Sequence, residues 1–343
     1  MSYPKVSIII LNWNGLQDTL ACLDSVKKSN YPNYEIIVID NASKNDEATV
    51  IKSKWPEVNL IKNDNNLGFA GGSNLGLRRA LEIGADYIWL LNNDTVIYED
   101  TLDELIRVGE TDKKIGLLSP VIYNFSEPDK IQFCGSYFDQ MNFTIKHIEN
   151  LKEVSEMDKS NICLWGTALL IKREVIDVIG YLSEKFFAYY EDSEYSFRAL
   201  RNNFLNRIVV SSRVLHKGNF IFEKGVFGLP LYYFFYMSRN RYWVWHDNIK
   251  WFKRAIFFRK YLAMTLRGYG LFLKEYKHKD GADAYLDGAY CALKNYGGQW
   301  GRDKKTPKII KTFLSSHPFL LADIIDLNVK TFFKNLVKKK SVN

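Results

Sequence analysis

Four short apolar runs, at residues 6–11, 34–40, 58–61 and 87–91, alternate with segments of helical spacing. After the first run, Leu16, Leu20, Leu23 and Val26 recur at the period of an amphipathic helix, which Asn30-Tyr-Pro-Asn33 breaks. A helix to about Lys54 follows the second run, and residues 75–83 read as a helix before the fourth. Strands alternating with helices over short connections predict a mostly parallel α/β sheet. Ligands of such sheets bind in the crevice outside the carboxyl ends of the strands. Three of those ends are polar here: Asn12 with Asn14, Asp40 with Asn41, and Asn92-Asn93-Asp94. Converging on one edge, they suit a nucleotide site. Asp94 could hold a divalent cation against phosphates, because hard cations take oxygen ligands. The same residues also suit Asx-type turns that only end strands.

The stretch 63–74 reads as a loop containing Asn66-Leu-Gly-Phe-Ala-Gly-Gly-Ser-Asn74. Gly68 and its two companions let the backbone pass close to a ligand, and Ser73 and Asn74 are candidate helix caps. N–H groups at the helix start could then face an anion. The loop has neither the GK[ST] ending of a Walker loop nor G-x-G-x-x-G spacing, which argues against a P-loop ATPase and an NAD enzyme.

Residues 96–160 are less informative: a helix near 102–108, a strand at 115–122, then loops and short strands. Residues 163–171 read as one strand, with Gly166 where something approaches closely, and 173–179 as a helix. Phe186-Phe-Ala-Tyr-Tyr-Glu-Asp-Ser-Glu194 places Glu191, Asp192 and Glu194 behind an aromatic run that includes Tyr189 and Tyr190. These acids open a helix continuing through Leu200. Acids in a first turn suit the helix dipole, yet three exceed what capping needs. A carboxylate beside an aromatic wall is also where a general base for a sugar hydroxyl would stand. Residues 208–215 form a last strand, closed by His216. A histidine there is commonly an ordinary hydrogen-bonding residue; beside a metal-holding Asp94 it is a candidate ligand.

The chain has 343 residues, 47% of them hydrophobic and 25% charged, a balance that folds. Its net charge of +8 is unevenly placed. From Lys217 to Asn343 there are 24 Lys/Arg against 9 Asp/Glu, or +15, leaving 23 against 30, or −7, for residues 1–216. The basic half wants an anionic neighbour, either nucleic acid or a lipid surface. Aromatic and basic residues interleave over 229–262 and recur as Phe332, Phe333, Lys334, Leu336 and Lys338-Lys-Lys340, which suits helices at a lipid interface. The same residues also suit an ordinary helical domain. No nucleic-acid-binding signature accompanies them, so no nucleic-acid partner is expected. No run reaches the about 20 apolar residues of a spanning helix, and no signal peptide is read at the start. The four cysteines show no CxxC spacing, which excludes a disulfide framework and a Cys-based zinc site. The expected setting is reducing and cytoplasmic.

In order, VSIIILNWNG, YEIIVIDNAS, NLGFAGGSN, LLNND, WGTALLI, YYEDSEYSFR and the His-x-Gly after the last strand resemble a family-2 inverting glycosyltransferase with a GT-A fold. The resemblance covers about residues 5–245 and is nearest the rhamnosyl- and galactosyltransferase-like branch of surface polysaccharide assembly. It implies a GT-A catalytic domain over 1–225 and a helical C-terminal region over 226–343. It also implies a nucleotide-sugar donor, a saccharide or lipid-linked acceptor, and a divalent metal, Mn²⁺ or Mg²⁺. Asn92-Asn93-Asp94 matches the Asp-x-Asp metal motif, with Asn92 where the first acid would stand. His216 matches the metal- or diphosphate-contacting histidine, and Asp40 the residue that contacts base or ribose. Asp192 matches the catalytic base, with Glu191 as its neighbour. Asn12, Asn14, Asn41, Asn66, Gly68, Asn74 and Asn93 fall in the implied donor site, and Trp165, Gly166, Tyr189 and Tyr190 in the implied acceptor site. A lipid-linked acceptor would place the enzyme peripherally at the inner face of the cell membrane, against anionic lipid. The aromatic C-terminal helices could also pair subunits into a homo-oligomer. The alternative is a non-catalytic nucleotide- or sugar-binding protein on the same fold; a processive synthase would carry spanning helices and Gln-x-x-Arg-Trp, and neither is found.

Overall fold

The computed structural model describes residues 3–148, 150–156, 161–218, 226–301 and 303–326. The chain divides into two compact units, Met1–Glu223 and Lys224–Asn343. In the first unit the elements run β1 (Val6–Asn12), α1 (Leu16–Val26), β2 (Tyr34–Asp40), α2 (Glu47–Lys54), β3 (Asn59–Lys62), α3 (Gly68–Glu82), β4 (Tyr87–Asn92), β5 (Thr95–Ile97) and α4 (Thr101–Gly109). Then come β6 (Ile115–Asn124), β7 (Ile131–Phe133), β8 (Ser136–Asp139), β9 (Thr144–His147), α5 (Leu151–Glu156), β10 (Ile162–Cys163), β11 (Ala168–Lys172), α6 (Arg173–Ile179), α7 (Glu191–Arg201) and β12 (Leu205–His216).

A nine-stranded sheet has the order β3-β2-β1-β4-β11-β6-β12-β5, with β7 paired to β6. β3, β2, β1, β4, β6 and β12 point one way, and β11, β5 and β7 run against them. The sheet is thus mostly parallel. Both of its faces are covered: Ile9, Ile37, Leu90 and Leu169 pack on one side, and Ile8, Val38, Trp89 and Leu170 on the other. Alternate residues of β1, β2 and β4 therefore enter different cores, which explains why these strands read as unbroken apolar runs.

The register aligns the functional ends. Asn12 lies opposite Asp40, Asp40 opposite Lys62, and Leu11 opposite Asn92. His216 lies opposite Thr95 on one side and Asn124 on the other.

Two readings of the sequence are corrected. Residues 163–171 are not one strand: β10 belongs to a separate three-stranded sheet, β10-β8-β9, and β11 to the large one. The chain must cross between sheets, and it does so at Leu164–Thr167. Because β11 enters at the carboxyl edge, it runs antiparallel to β4 and β6. Residues 63–74 are not all loop either. α3 begins at Gly68, so Ser73 and Asn74 are buried inside the helix and cap nothing.

The second unit is helical: α8 (Leu231–Asn248), α9 (Arg254–Gly270), α10 (Lys279–Leu293), α11 (Lys308–Ser316) and α12 (Pro318–Asp326). Most of the aromatic run over 229–245 turns inward, with Phe234, Phe235, Tyr236, Trp243 and Trp245 all buried. α8 and α10 pack so closely that a Cβ on Gly288 would stand 2.2 Å from the Phe235 carbonyl oxygen. Arg239 is also buried, its guanidinium among Phe235, Tyr236 and Trp243 and donating to the Gly298 carbonyl at 2.7 Å. Among the described residues, no helix is long and apolar enough to cross a membrane. The basic segment Phe332–Lys340 lies outside the described residues.

Candidate active site

The ends of β1 and β2 form a closed polar floor. Asn12 and Asp40 are fully buried, and the Asn12 amide donates to Asp40 Oδ1 and Glu47 Oε2, both at 2.9 Å, and to Ser43 Oγ at 3.1 Å. Its carbonyl accepts from Thr19 Oγ1 at 2.7 Å, and the Asn93 amide donates to Thr19 Oγ1 at 3.0 Å. Asn14 takes φ = 53°, a left-handed conformation that asparagine tolerates, and its side chain accepts from the Lys44 N–H.

Asn41 organises a second knot. Its amide donates to Asn66 Oδ1 and the Gly68 carbonyl, while its Oδ1 accepts from Asn63 Nδ2 and the Leu67 N–H. The start of α3 does not face an anion as the sequence suggested. The Gly68 N–H donates to Asn66 Oδ1, and the N–H groups of Phe69 and Ala70 donate to the Phe187 carbonyl. These donors are taken within the protein. Asn74 likewise works internally, donating to the Leu182 carbonyl and Glu184 Oε1 and accepting from the Leu182 N–H. Asp40, Asn41, Asn66, Gly68 and Asn74 thus build the crevice from within.

Further along the same edge, Asp94 Oδ1 stands 3.2 Å from His216 Nε2. Gln132 sets the state of that histidine. Its amide nitrogen donates to the Gly218 carbonyl at 2.7 Å, which turns its oxygen to His216 Nδ1, also at 2.7 Å. The network therefore places a hydrogen on Nδ1 and turns Nε2 to the carboxylate, where it donates when the imidazole is protonated and offers a lone pair when it is neutral. With a neutral imidazole the two atoms are both acceptors and could share a cation. Burial raises the Asp94 pKa, but the hydrogen bond and charge of His216 and the backbone N–H groups outweigh it, and the net shift is downward. Gly218 is needed for this closeness, since a Cβ there would lie 2.8 Å from Asp94 Oδ2. The Asn92 side chain has no hydrogen-bond partner among the described residues, and no cluster of three or more His, Cys, Asp or Glu side chains that could hold a metal occurs among them. An oxygen–nitrogen donor pair fits Mn²⁺ better than Mg²⁺, which prefers oxygen alone.

The β4–β11 pairing joins this pair to the Glu191–Asp192 carboxylates. The Asn92 N–H donates to the Thr167 carbonyl at 2.9 Å, and the preceding residue, Gly166, donates its N–H to Asp192 Oδ2 at 2.8 Å. Ser193 holds the other Asp192 oxygen through its N–H and Oγ. Burial raises the Asp192 pKa against those hydrogen bonds. Burial, then the Asp192 charge, drives that of Glu191 well above the carboxylate range. Glu191 Oε2 is buried and has no hydrogen-bond partner among the described residues. Phe187, Tyr189 and Tyr190 all take positive φ immediately before the pair, so this turn is strained. Gly68 fits against it, where a Cβ would stand 2.2 Å from the Phe187 carbonyl oxygen. Trp165 stacks on Phe133 at 3.9 Å and meets His147 edge-on at 5.5 Å.

The sequence profile of Glycosyl transferase family 2 matches residues 7–180, just over half of the chain. The chain belongs to glycosyl transferase family 2. It is 26% identical over 207 residues to the low-salt glycan biosynthesis hexosyltransferase Agl10 of Haloferax volcanii, covering 58% of this chain and 62% of that one. It is 24% identical over 219 residues to the dTDP-rhamnosyl transferase RfbF of Shigella flexneri, covering 62% and 69%. Among solved structures it resembles the mannosyltransferase PcManGT of Pyrobaculum calidifontis, in complex with GDP-Man and Mn²⁺. That match has a TM-score of 0.51 at 16% identity and covers 95% of this chain and 87% of that one. The fold of this family-2 chain is therefore GT-A-like.

Several residues of this polar edge gave no sequence signal. Glu47 and Ser43 meet Asn12 only through the β1–β2 register. Gln132 reaches His216 from the β6–β7 hairpin, and Lys217 pairs with Asp18 at 2.7 Å. Trp13, 51% exposed between two floor asparagines, was legible as an aromatic at a strand end.

Proposed function

We propose that the chain is a metal-dependent inverting glycosyltransferase. It moves a rhamnose- or galactose-like hexosyl group from a nucleotide-sugar donor to a hydroxyl of a saccharide or lipid-linked saccharide, in surface polysaccharide assembly. The observation that carries this reading is the hydrogen-bonded linkage between the Asp94–His216 pair and Asp192 along one sheet edge. In the reaction the acceptor oxygen bonds to the anomeric carbon from the face opposite the nucleotide, and the bond from that carbon to the diphosphate oxygen breaks. The acceptor proton passes to an Asp192 carboxylate oxygen; a raised pKa makes that oxygen a better proton acceptor. Gly166 and Ser193 keep it oriented. Burial and the Asp192 charge drive the Glu191 pKa upward, which favours its protonated form and limits the negative charge beside the base. Asp94 and His216 would hold the metal, which when bound neutralises charge on the departing diphosphate.

The floor of Asn12, Asn14, Asp40, Asn41 and Asn93 shapes the donor crevice, and Trp13 offers a ring face to the base. Trp165, Tyr189 and Tyr190 line the acceptor side. The hydroxyl acceptor would be presented at an anionic membrane surface, with the enzyme peripheral to its inner face and residues 226–343 supplying the contact or pairing subunits. The two compact units support a division near residue 225 between catalytic and helical domains.

A thermal-shift panel of nucleoside diphosphates and nucleotide sugars, with and without Mn²⁺, tests the donor site, because a ligand of the native state raises its apparent stability. A Mn²⁺-dependent rise with one nucleotide is expected, and Asp94→Ala should abolish that dependence. A well-folded protein that responds to none of them would overturn the reading in favour of another binding function.

A further inference from the structure

The corner between α8 and α9 presents an aromatic tip in a basic setting. Trp251–Lys253 forms a single 3₁₀ turn with no buried residue, and Trp251 is 80% and Phe252 55% exposed. The two rings meet edge to face at 6.1 Å. Just beyond, in the first turns of α9, Ile256 and Phe258 are exposed while Phe257 is turned into the core. From Asn248 through Lys274 the chain carries seven Lys/Arg and no Asp/Glu. Lys250 and Arg254, exposed on either side of the turn, flank the aromatic tip. The nearest preceding acid, Asp247, is paired with His246 at 2.9 Å.

These features differ from those of the neighbouring helices. In α8 most of the aromatics are core residues, Tyr232 being the exposed one, and Arg267 of α9 is neutralised by Asp323 and Asp326 at 3.0 and 2.8 Å. Among the described residues this corner holds the most exposed tryptophan, and it lies in an acid-free basic stretch; the other such face, around Phe313 of α11, has its Lys311 paired with Asp287 at 2.9 Å. An aromatic side chain left in water gains by entering an apolar phase, and indole is at home at the boundary of lipid and water. Lysine and arginine beside it meet anionic headgroups. A second protein copy would bring the same positive charge to the contact, which disfavours self-association there.

The geometry points to this corner as a membrane-docking wedge: Trp251 and Phe252 insert into the headgroup region of an anionic bilayer, with Lys250, Lys253 and Arg254 as the surrounding basic collar. This deepens the membrane-surface reading above by naming the contact.

Sedimentation of the full chain with phosphatidylcholine vesicles, with and without phosphatidylglycerol, tests it. The wild-type protein should bind the phosphatidylglycerol vesicles, and added salt should weaken binding. The Trp251→Ala/Phe252→Ala variant should lose about tenfold or more in partitioning, since binding scales with buried apolar area. The Lys250→Glu/Lys253→Glu/Arg254→Glu variant should remove the preference for anionic lipid. Unchanged thermal unfolding and Mn²⁺-dependent nucleotide response would show that both variants are folded. Wild-type binding that survives both sets of changes would overturn the wedge while leaving the membrane reading intact. No binding to either vesicle would overturn both. A change in solution mass in the Trp251→Ala/Phe252→Ala variant would assign the corner to a second copy, and loss of oligonucleotide binding in the charge variant would assign it to nucleic acid.

Discussion

The two walls of the crevice are built on opposite principles. On the Asn12–Asn41 side, buried amides are matched with partners: one asparagine faces two carboxylates and a hydroxyl, and another ties four positions, Asn63, Asn66, Leu67 and Gly68, together. On the Glu191–Asp192 side, two adjacent carboxyls share a desolvated setting, Glu191 Oε2 has no partner among the described residues, and the preceding turn holds three non-glycine residues at positive φ. A satisfied wall is rigid and chemically quiet. A carboxylate kept from water is a stronger base, as burial makes Asp192 in spite of its three donors, and its pocket is correspondingly less stable. The comparison separates scaffold from chemistry without reference to any ligand.

The largest test is Asp192→Asn. Sugar transfer should fall by about 10²–10⁴-fold while the nucleotide response stays near wild type. A fully active variant would end the assignment of the base wall. On the other wall, Asn12→Ala should act on stability: Asp40 and Glu47 would lose their common donor, which should cost about 3 kcal/mol in urea unfolding. A change below the error of that measurement would mean the floor is not what holds the sheet end.

Gly68→Ala joins the walls. At φ = +74°, with its Cβ driven into the Phe187 carbonyl, it should cost about 1–3 kcal/mol. It should also lower activity by moving the 187–190 turn, so destabilisation with unchanged activity would uncouple the two.

The smallest and most specific effect concerns pH. The Glu191 pKa is raised in the folded state. Its contribution to stability is therefore full below the ordinary carboxylate pKa and is lost as pH rises through the higher folded value. Glu191→Gln should flatten the decline of melting temperature toward neutral and alkaline pH. An identical pH profile would show that Glu191 is not protonated in the fold.

Much of this arrangement was readable in one dimension. The strands β1, β2 and β4 and the helices α1 and α6 follow from apolar spacing and breakers, and the acids and asparagines at strand ends are a local pattern. Asp94, Asp192 and His216 stood out because each closes or opens a regular element. Gln132, Ser43 and Glu47 did not, because their roles depend on which strands become neighbours. The first turn of α3 was missed because glycine and asparagine favour loops; here the Phe187 carbonyl and the Asn41 and Asn66 side chains supply the acceptors its N–H groups need.

The sequence by itself determined the alternating architecture, the polar edge, the family resemblance and the separation of charge between the two halves. These follow from periodicity and composition, which are local. Only the tertiary structure decided that β11 runs backward through the sheet and that Asp40 and Asn41 are internal struts. It also decided that His216 turns Nε2 to Asp94, and that Trp251 remains exposed while Trp243 and Trp245 are buried. Each depends on burial or on partners far apart in the chain, and neither is encoded at the residue itself.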